Sequence, residues 1–265
     1  MVEQLTEITS FVGEYFSTDP LYGKIENKIV VVKHINNPQG HYALFNEYIG
    51  YALASKLGIP TPEYGFAIFK ENKTKNYLEP DYSIKNNDIF TYTKLENAVI
   101  QIDSPLYTAT IDIEEIIKLI IFDIFIANYD RNKGNLLLKM PKKGKKASLF
   151  PIDYTHIFPG QCIWVDVLRQ PLPSIKEIVG EIFSYGGHQS LIENRIIDEK
   201  TIDEVARDFK KNLECIDISD TIEEIPSVLL NMYDNEDINN LKGYLFRNIH
   251  EFDYIIKEIK RYLVR

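Results

Sequence analysis

The chain has 265 residues, of which 45% are hydrophobic and 26% are charged, as in globular proteins with a substantial core. Its formal net charge of −9 argues against general binding to nucleic acids or anionic membranes, so we expect no direct nucleic-acid binding. No apolar run approaches the length needed to span a bilayer, so we expect no membrane insertion. Two cysteines cannot form a disulfide framework, and the amino terminus lacks an apolar signal segment, so we predict a cytoplasmic protein.

The first hundred residues predict strands and a single helix. Lys28–Ile35 is a β-branched strand that carries one lysine, Lys33, among valines. His41–Leu57 has helical periodicity and stops before a glycine, which is a common helix end. Two further strands are predicted on either side of a polar loop, at Tyr64–Phe69 and Ile89–Tyr92.

From about residue 111 the pattern changes to amphipathic helices. The first, Ile111–Ala127, leads into a polar loop and a short hairpin, whose lysine run Lys142–Lys146 is interpreted as a solvated tip. Further helices are predicted at Ser174–Phe183, Asp198–Lys211, Ile222–Met232 and Asp234–Leu263. The α+β class follows, with a small strand-rich lobe over residues 1–94 and a larger helical lobe over residues 95–265.

Five polar residues occur in a fixed order across these elements. Lys33 lies on a strand, Glu47 on the next helix, Asp130 and Asn135 in the polar loop, and Asp153 after the hairpin. Carboxylates beside apolar segments are costly unless something pairs with them, and a divalent metal with a phosphate chain is such a partner. The order matches the protein-kinase signature, in which the spacing D-x-x-x-x-N is here D-R-N-K-G-N.

The sequence resembles the HipA-like kinases, bacterial serine/threonine kinases whose founding members are toxins of toxin–antitoxin pairs. The resembling segments are V-V-V-K from Val30, N-E-Y-I-G-Y-A-L-A-S-K-L-G-I-P-T-P from Asn46, A-N-Y-D-R-N-K-G-N-L-L-L from Ala127 and P-I-D-Y-T-H-I-F from Pro151. The resemblance implies a protein-kinase-like bilobal fold, ATP and Mg²⁺ as cofactors, and a hydroxyl-bearing acceptor, first of all a protein serine or threonine. It also implies a toxin or signalling role and an antitoxin or other regulatory partner.

The resemblance also implies roles by matching position. Lys33 would bind the ATP phosphates and Glu47 would hold that lysine. Asp130 would be the catalytic base or would orient the acceptor hydroxyl, while Asn135 and Asp153 would be magnesium ligands. The hinge that meets the adenine is placed within a run of four residues: Tyr92, Thr93, Lys94 and Leu95.

The sequence departs from the kinase pattern in three places. The segment before the lysine strand has only Gly13 and Gly23, which predicts a weak phosphate cradle. Asn128-Tyr129 replaces the histidine that commonly precedes the catalytic aspartate, and the metal motif is D-Y-T instead of D-F-G. The resemblance implies self-phosphorylation in the phosphate loop, at Ser17 or Thr18, which would add about −1.5 to −2 charges and expel the nucleotide.

Two alternative functions stay open. The acceptor could be a lipid or a small molecule, although the acidic chain and the lack of a basic amphipathic helix argue against a lipid. The chain could also be a nucleotide-binding pseudokinase that serves as a partner-binding module, which the glycine-poor loop favours.

Two further residues near the motifs have competing interpretations. We interpret His156 as a packed or hydrogen-bonded core histidine in preference to a residue that touches the site. Arg131 is interpreted either as a contact to a substrate phosphate or to the region after Asp153, or as an exposed ion pair.

Overall fold

The computed structural model describes residues 2–13, 16–79, 82–102, 105–140, 147–184, 186–193 and 195–264. The lysine run Lys142–Lys146 lies outside these residues. A β-rich N-terminal region is followed by a helical C-terminal region. The strands are β1 (Val2–Phe11), β2 (Leu21–Ile25), β3 (Lys28–His34), β4 (Tyr64–Ile68), β5 (Lys75–Asn76), β6 (Ile89–Lys94), β7 (Val99–Gln101), β8 (Leu136–Lys139) and β9 (Ser148–Pro151).

Most of the helices lie in the C-terminal region. They are α1 (Gly40–Lys56), α2 (Pro105–Thr108), α3 (Ile113–Phe125), α4 (Trp164–Leu168), α5 (Ile175–Ser184), α6 (Gly186–Ile192), α7 (Glu199–Leu213), α8 (Ile218–Glu223), α9 (Ser227–Leu230), α10 (Asn235–His250) and α11 (Phe252–Leu263).

The N-terminal strands close on themselves. Antiparallel pairing runs from β1 to β2, β3, β6 and β4, and β4 then pairs in parallel with β1, while β5 adds to β1. Closure leaves these five strands without a free edge. Side chains alternate along β3, so Val30 and Val32 join the apolar cluster of the closed sheet while Val31 and Lys33 face the opposite way, into a cavity.

Helix α1 is the long helix of the N-terminal region. Most of it is buried, and it packs against β3, β4 and β6 on one side and against α8 on the other. This double burial places the polar side chains of α1 between the closed sheet and the helical region.

A second, smaller sheet carries the polar loop of the C-terminal region. Its strand order is β7, β8 and β9, all antiparallel. The predicted hairpin is therefore present, with β8 following residues 130–135 and β9 ending two residues before Asp153. The two short strands bring the D-x-x-x-x-N loop and Asp153 side by side.

Two predicted helices are wrong in length. The predicted helix Ile222–Met232 is divided into α8 and α9 because Pro226 lacks the backbone N–H that a helix interior needs. The predicted helix Asp234–Leu263 is divided at Glu251 into α10 and α11, which pack on different partners, α10 on α4 and α11 on α5 and α7. A straight helix of that length would extend about 45 Å and could not reach both surfaces.

Across the described ranges, no helix combines the length and the apolar content that crossing a membrane requires.

Candidate active site

A cavity of about 910 Å³ lies between the closed sheet and the second sheet with its polar loop. Its volume is within the range of small-molecule and cofactor sites. All of the site residues predicted from sequence line it: Lys33, Glu47, Tyr92, Thr93, Lys94, Leu95, Asp130, Asn135 and Asp153. The structure thus brings together residues that are far apart in the chain.

Lys33 is the centre of a buried polar cluster. Its Nζ lies 3.0 Å from Glu47 Oε2, 3.0 Å from Asp153 Oδ1 and 2.6 Å from Thr155 Oγ1. The three acceptors match the three donors of an ammonium group. Because Lys33 is 7% exposed, these partners replace the water that its charge would otherwise need.

The charges of this cluster stabilise one another. Burial by itself would lower the pKa of Lys33, but the charges of Asp153 and Glu47 outweigh it and raise that pKa. Burial would raise the pKa of Asp153, and Lys33 together with hydrogen bonds from Thr155 lowers it below its usual range. Lys33 is therefore a cation and Asp153 an anion at neutral pH.

One face of α1 is built around the segment that begins at Asp153. Glu47 Oε2 also accepts the Tyr154 N–H at 3.0 Å, and the Tyr51 hydroxyl oxygen accepts the Asp153 N–H at 3.1 Å. A Cβ on Gly50 would lie 2.2 Å from Tyr154 Cβ, so only glycine permits this approach. Within the motif N-E-Y-I-G-Y, Glu47, Gly50 and Tyr51 are spaced so that they lie on one face of α1. This face contacts the segment that begins at Asp153.

Asp130 lies at the open side of the cavity. Its side chain is 44% exposed, and its Oδ2 lies 3.3 Å from His156 Nδ1. Asn135 donates from Nδ2 to the Asp130 carbonyl at 2.9 Å. The sequence favoured a core position for His156, whereas the structure places this residue against Asp130 in the cavity wall.

Arg131, the residue after Asp130, stabilises the polar loop through buried contacts. Arg131 is 1% exposed, so the predicted exposed ion pair is wrong. Its Nε and Nη2 donate to the two carboxylate oxygens of Asp123 at 2.9 and 3.0 Å, and its Nη1 donates to the carbonyl of Ile152. His188 on α6 donates from Nε2 to Asp123 at 2.9 Å. This network links the polar loop, α3 and α6.

The sequence did not identify Asp123 or His188 as positioning residues for this loop. Asp123 is a lone carboxylate in the otherwise apolar run of α3, which was a usable signal, because a carboxylate in a buried stretch needs a partner. His188 lies on a short helix that was not predicted, and no motif pointed to it.

Asn135 and Asp153 have the chemistry of magnesium ligands. Mg²⁺ prefers carboxylate and carbonyl oxygens, and it is commonly held by one or two protein ligands together with waters and substrate phosphates. Asp153 is ionised, and Asn135 turns its Nδ2 toward Asp130, so its Oδ1 is the oxygen left for a cation. Among the described residues, no group of three or more His, Cys, Asp or Glu could hold a metal ion. The residues present fit a magnesium ion that is completed by phosphate oxygens.

Described residues between β1 and β2 line the cavity, in the segment where kinases have a glycine-rich loop. The N–H of Val12 donates to the Pro20 carbonyl at 2.8 Å, which closes the loop at its base. Ser17 and Thr18 both line the cavity, the first exposed and the second buried. Hydroxyl-bearing residues thus stand where glycines were expected.

The predicted hinge lies at the end of β6. The N–H groups of Lys94 and Leu95 already donate to the carbonyls of Glu63 and Ile29, at 2.8 and 2.9 Å. A base that enters the cavity would therefore have to take its hydrogen bonds from other backbone groups of this segment.

Comparison with known proteins identifies relatives of this architecture. A sequence model of the HipA-like kinases matches residues 17–162, which confirms the resemblance stated from the motifs. Comparison with curated proteins finds no match. The crystal structure of a Helicobacter pylori proinflammatory kinase, CtkA, has a TM-score of 0.51 and 12% sequence identity, over 99% of this chain and 100% of that one.

A second solved structure, WaaP in complex with acyl carrier protein, has a TM-score of 0.41 and 13% identity, over 92% of this chain and 88% of that one. At identities this low, a structural similarity is evidence about the fold alone. Of these two structures, CtkA has the TM-score that is high enough to be used in this way.

Proposed function

The chain belongs to the HipA-like kinase family, and from this membership we propose that it is an ATP-dependent phosphotransferase that moves the γ-phosphate to a hydroxyl, first of all that of a protein serine or threonine. The observation that carries the proposal is the single cavity lined by the lysine, glutamate, asparagine and two aspartates of the kinase signature. Phosphoryl transfer depends on placing such groups around a phosphate chain.

The proposed architecture is the bilobal kinase fold, with a boundary near Leu95. The closed sheet ends with β6 at Lys94, and the next strand, β7, belongs to the second sheet. In this arrangement the nucleotide lies between the two regions. Its base would meet the segment from Tyr92 to Leu95 and its phosphates would point toward Lys33.

Each of the five signature residues in the cavity has a role in this proposal. Lys33 offsets negative charge on the phosphates, and Glu47 keeps its ammonium directed into the cavity. Asn135 and Asp153 would hold magnesium, which would offset negative charge on the phosphates. Asp130, the most exposed carboxylate of the cluster, faces the side where an acceptor enters.

The reaction is an in-line displacement on the γ-phosphorus. The acceptor hydroxyl oxygen forms a bond to phosphorus, the bond to the bridging oxygen of ADP breaks, and the hydroxyl proton passes to Asp130. His156 lies against the same carboxylate and limits its movement. The loop that carries Asp130 is held in place by the buried Arg131.

Regulation and cellular setting are parts of the proposal that follow from the family. Ser17 and Thr18 line the cavity, which supports self-phosphorylation there as a way to block the nucleotide. A toxin or signalling role with an antitoxin or other regulatory partner, and action in the cytoplasm, are proposed on the family resemblance. The two cysteines are free, as in proteins of reducing compartments.

The deciding experiment is incubation of the purified protein with Mg-ATP labelled at the γ-phosphate, followed by mass spectrometry of the intact chain and of added acceptors. We expect label transfer by the wild type and a loss of at least about 10²-fold in Asp130→Ala, since general-base contributions are of that size. Label on a lipid or a small molecule would support the alternative acceptor class. Nucleotide binding without any transfer would support a pseudokinase and contradict the proposal.

A further inference from the structure

The proposed mechanism gives no role to Thr155, the threonine of the D-Y-T motif. Thr155 is 0% exposed and stands where the more common kinase motif has glycine. Its hydroxyl oxygen accepts a hydrogen bond from Lys33 Nζ at 2.6 Å, and its hydroxyl donates to Glu47 Oε2 at 3.2 Å. A side chain that a glycine motif lacks therefore contacts both members of the lysine–glutamate pair, which are themselves in direct contact.

The backbone of Thr155 is also held on both sides. Its N–H donates to Asp153 Oδ1 at 3.1 Å, and its carbonyl accepts from Asn46 Nδ2 at 2.8 Å. Asn46 precedes Glu47 on α1, so one turn of this helix holds both the carbonyl and the hydroxyl of the threonine. The hydroxyl consequently has little freedom to leave Lys33.

The neutral acceptor gives the lysine a defined direction. Glu47 and Asp153 both attract the ammonium, and each accepts one of its N–H groups. The third hydrogen bond uses the remaining donor of Lys33. Without the hydroxyl, a buried N–H of a charged group would have no acceptor, which is costly and favours reorientation of the side chain.

We propose that Thr155 is a positioning residue that fixes the Lys33 ammonium for the nucleotide phosphates through its hydroxyl group. The inference rests on the proposed phosphotransferase function and extends it to a residue outside the kinase signature. The threonine that replaces the glycine of the D-F-G motif then has a function in positioning Lys33.

The test compares variants of the full chain. Thr155→Val removes the hydroxyl and keeps the shape, and Thr155→Ser keeps the hydroxyl. Thr221→Val is the matched control, because Thr221 on α8 also accepts from a lysine, Lys56, and donates to an oxygen, yet lies outside the cavity. If the valine variant does not fold, Thr155→Ala is measured in its place, because it removes the same hydroxyl group.

The first readout is the dissociation constant of Mg-ATP by calorimetry, beside kcat and the thermal midpoint of unfolding. We expect Thr155→Val to weaken Mg-ATP binding by about tenfold or more, since hydrogen bonds to charged groups have that effect. Thr155→Ser should remain within about twofold to threefold of the wild type, and Thr221→Val should change the thermal midpoint without changing nucleotide affinity.

The second readout is a double-mutant cycle with Lys33→Ala. Because the threonine acts through the lysine, Thr155→Val should have little further effect on Mg-ATP affinity once Lys33 is removed. An equal loss of affinity with and without Lys33 would mean a purely structural role and overturn the inference. Near-native affinity and kcat in Thr155→Val would overturn it as well.

The wild-type arm separates this inference from the function on which it rests. If the wild type neither binds Mg-ATP nor transfers phosphate, the proposed function fails and the role of Thr155 fails with it. If the wild type is active and only the variant series disagrees, the phosphotransferase stands and the inference alone is rejected.

Discussion

Asp123 connects α3 to the polar loop through its contact with Arg131. It is 0% exposed, and its carboxylate is shared by Arg131 and His188. Burial would raise the pKa of Asp123, but the Arg131 and His188 contacts outweigh it and lower the pKa. A lowered pKa in the folded state means that the charged carboxylate stabilises the fold.

Replacement of this carboxylate should be costly. Asp123→Asn leaves the Arg131 guanidinium buried without its counter-charge, so we expect a loss of about 3–5 kcal/mol in the free energy of unfolding at pH 7. Urea unfolding measures this value. Asp253→Asn is the control, because Asp253 forms an exposed ion pair with Lys210 and its replacement should have little effect.

The same residue sets an acid dependence. The stability from Asp123 is fully present above the pKa of an unfolded aspartate, about 3.9, and is lost as the pH falls through the lower folded value. Below about pH 4 the wild type should therefore lose stability more steeply than Asp123→Asn. Parallel acid profiles of the two proteins would contradict this account.

At the scale of elements, α6 is the helix that meets the polar loop. A Cβ on Gly187 would lie 1.6 Å from the Arg131 carbonyl oxygen, which is backbone and cannot turn away. The backbone of α6 at Gly187 is therefore in direct contact with the backbone of the loop at Arg131. Helix α6 lies outside residues 17–162, the segment that the family model matches.

Gly187→Ala should force α6 away from the loop. We expect a lower thermal midpoint and a kcat reduced by about tenfold or more, since small displacements of catalytic groups have large effects. Gly243→Ala on α10 is the matched control, because a Cβ there meets nothing within 4 Å. That control should stabilise the protein by about 0.5–1 kcal/mol through helix propensity. Equal behaviour of the two variants would show that the contact does not matter.

Individual elements also show how far local patterns reach. The β-branched run predicted β3, and the apolar pattern from residue 41 that stops before Gly58 predicted α1. The burial of α1 on two sides could not be predicted from that pattern. The short α6 was missed because seven residues carry too little periodicity. The break at Glu251 was missed because neither proline nor glycine marks it, and it arises from packing against different neighbours.

At the scale of the molecule, the cavity couples the closed sheet to the polar loop. Ion pairs across it join residues 120 positions apart, Lys33 and Asp153. A ligand that binds only the folded chain stabilises it by mass action. We therefore expect Mg-ADP at about 100 times its dissociation constant to add about 2.7 kcal/mol to the free energy of unfolding.

A matched pair of variants tests this coupling. Asp153→Asn removes the charge proposed to bind magnesium and should lose most of the stabilisation by Mg-ADP. Asp166→Asn, exposed on α4 and outside the cavity, should keep it. Differential scanning calorimetry with and without nucleotide measures both. Full stabilisation of Asp153→Asn would contradict the assigned metal ligand.

The polar residues of the site and their order could be predicted from the amino-acid sequence: a lysine on a strand, a glutamate on the next helix, and an aspartate, an asparagine and a second aspartate around a hairpin. These were readable because each group lies in a short motif whose pattern is local. The family resemblance followed from the same motifs.

How these groups meet follows from the packing of distant segments and could not be predicted from local patterns. Several contacts depend on the meeting of distant segments: the burial of Arg131, the contact of His156 with Asp130, the approach of α6, and the contact of Thr155 with both Lys33 and Glu47. The closure of the sheet through the parallel pairing of β1 with β4 is of the same kind. Local periodicity reports which face of an element is buried, and the partner of that face is chosen by the packing of the whole chain.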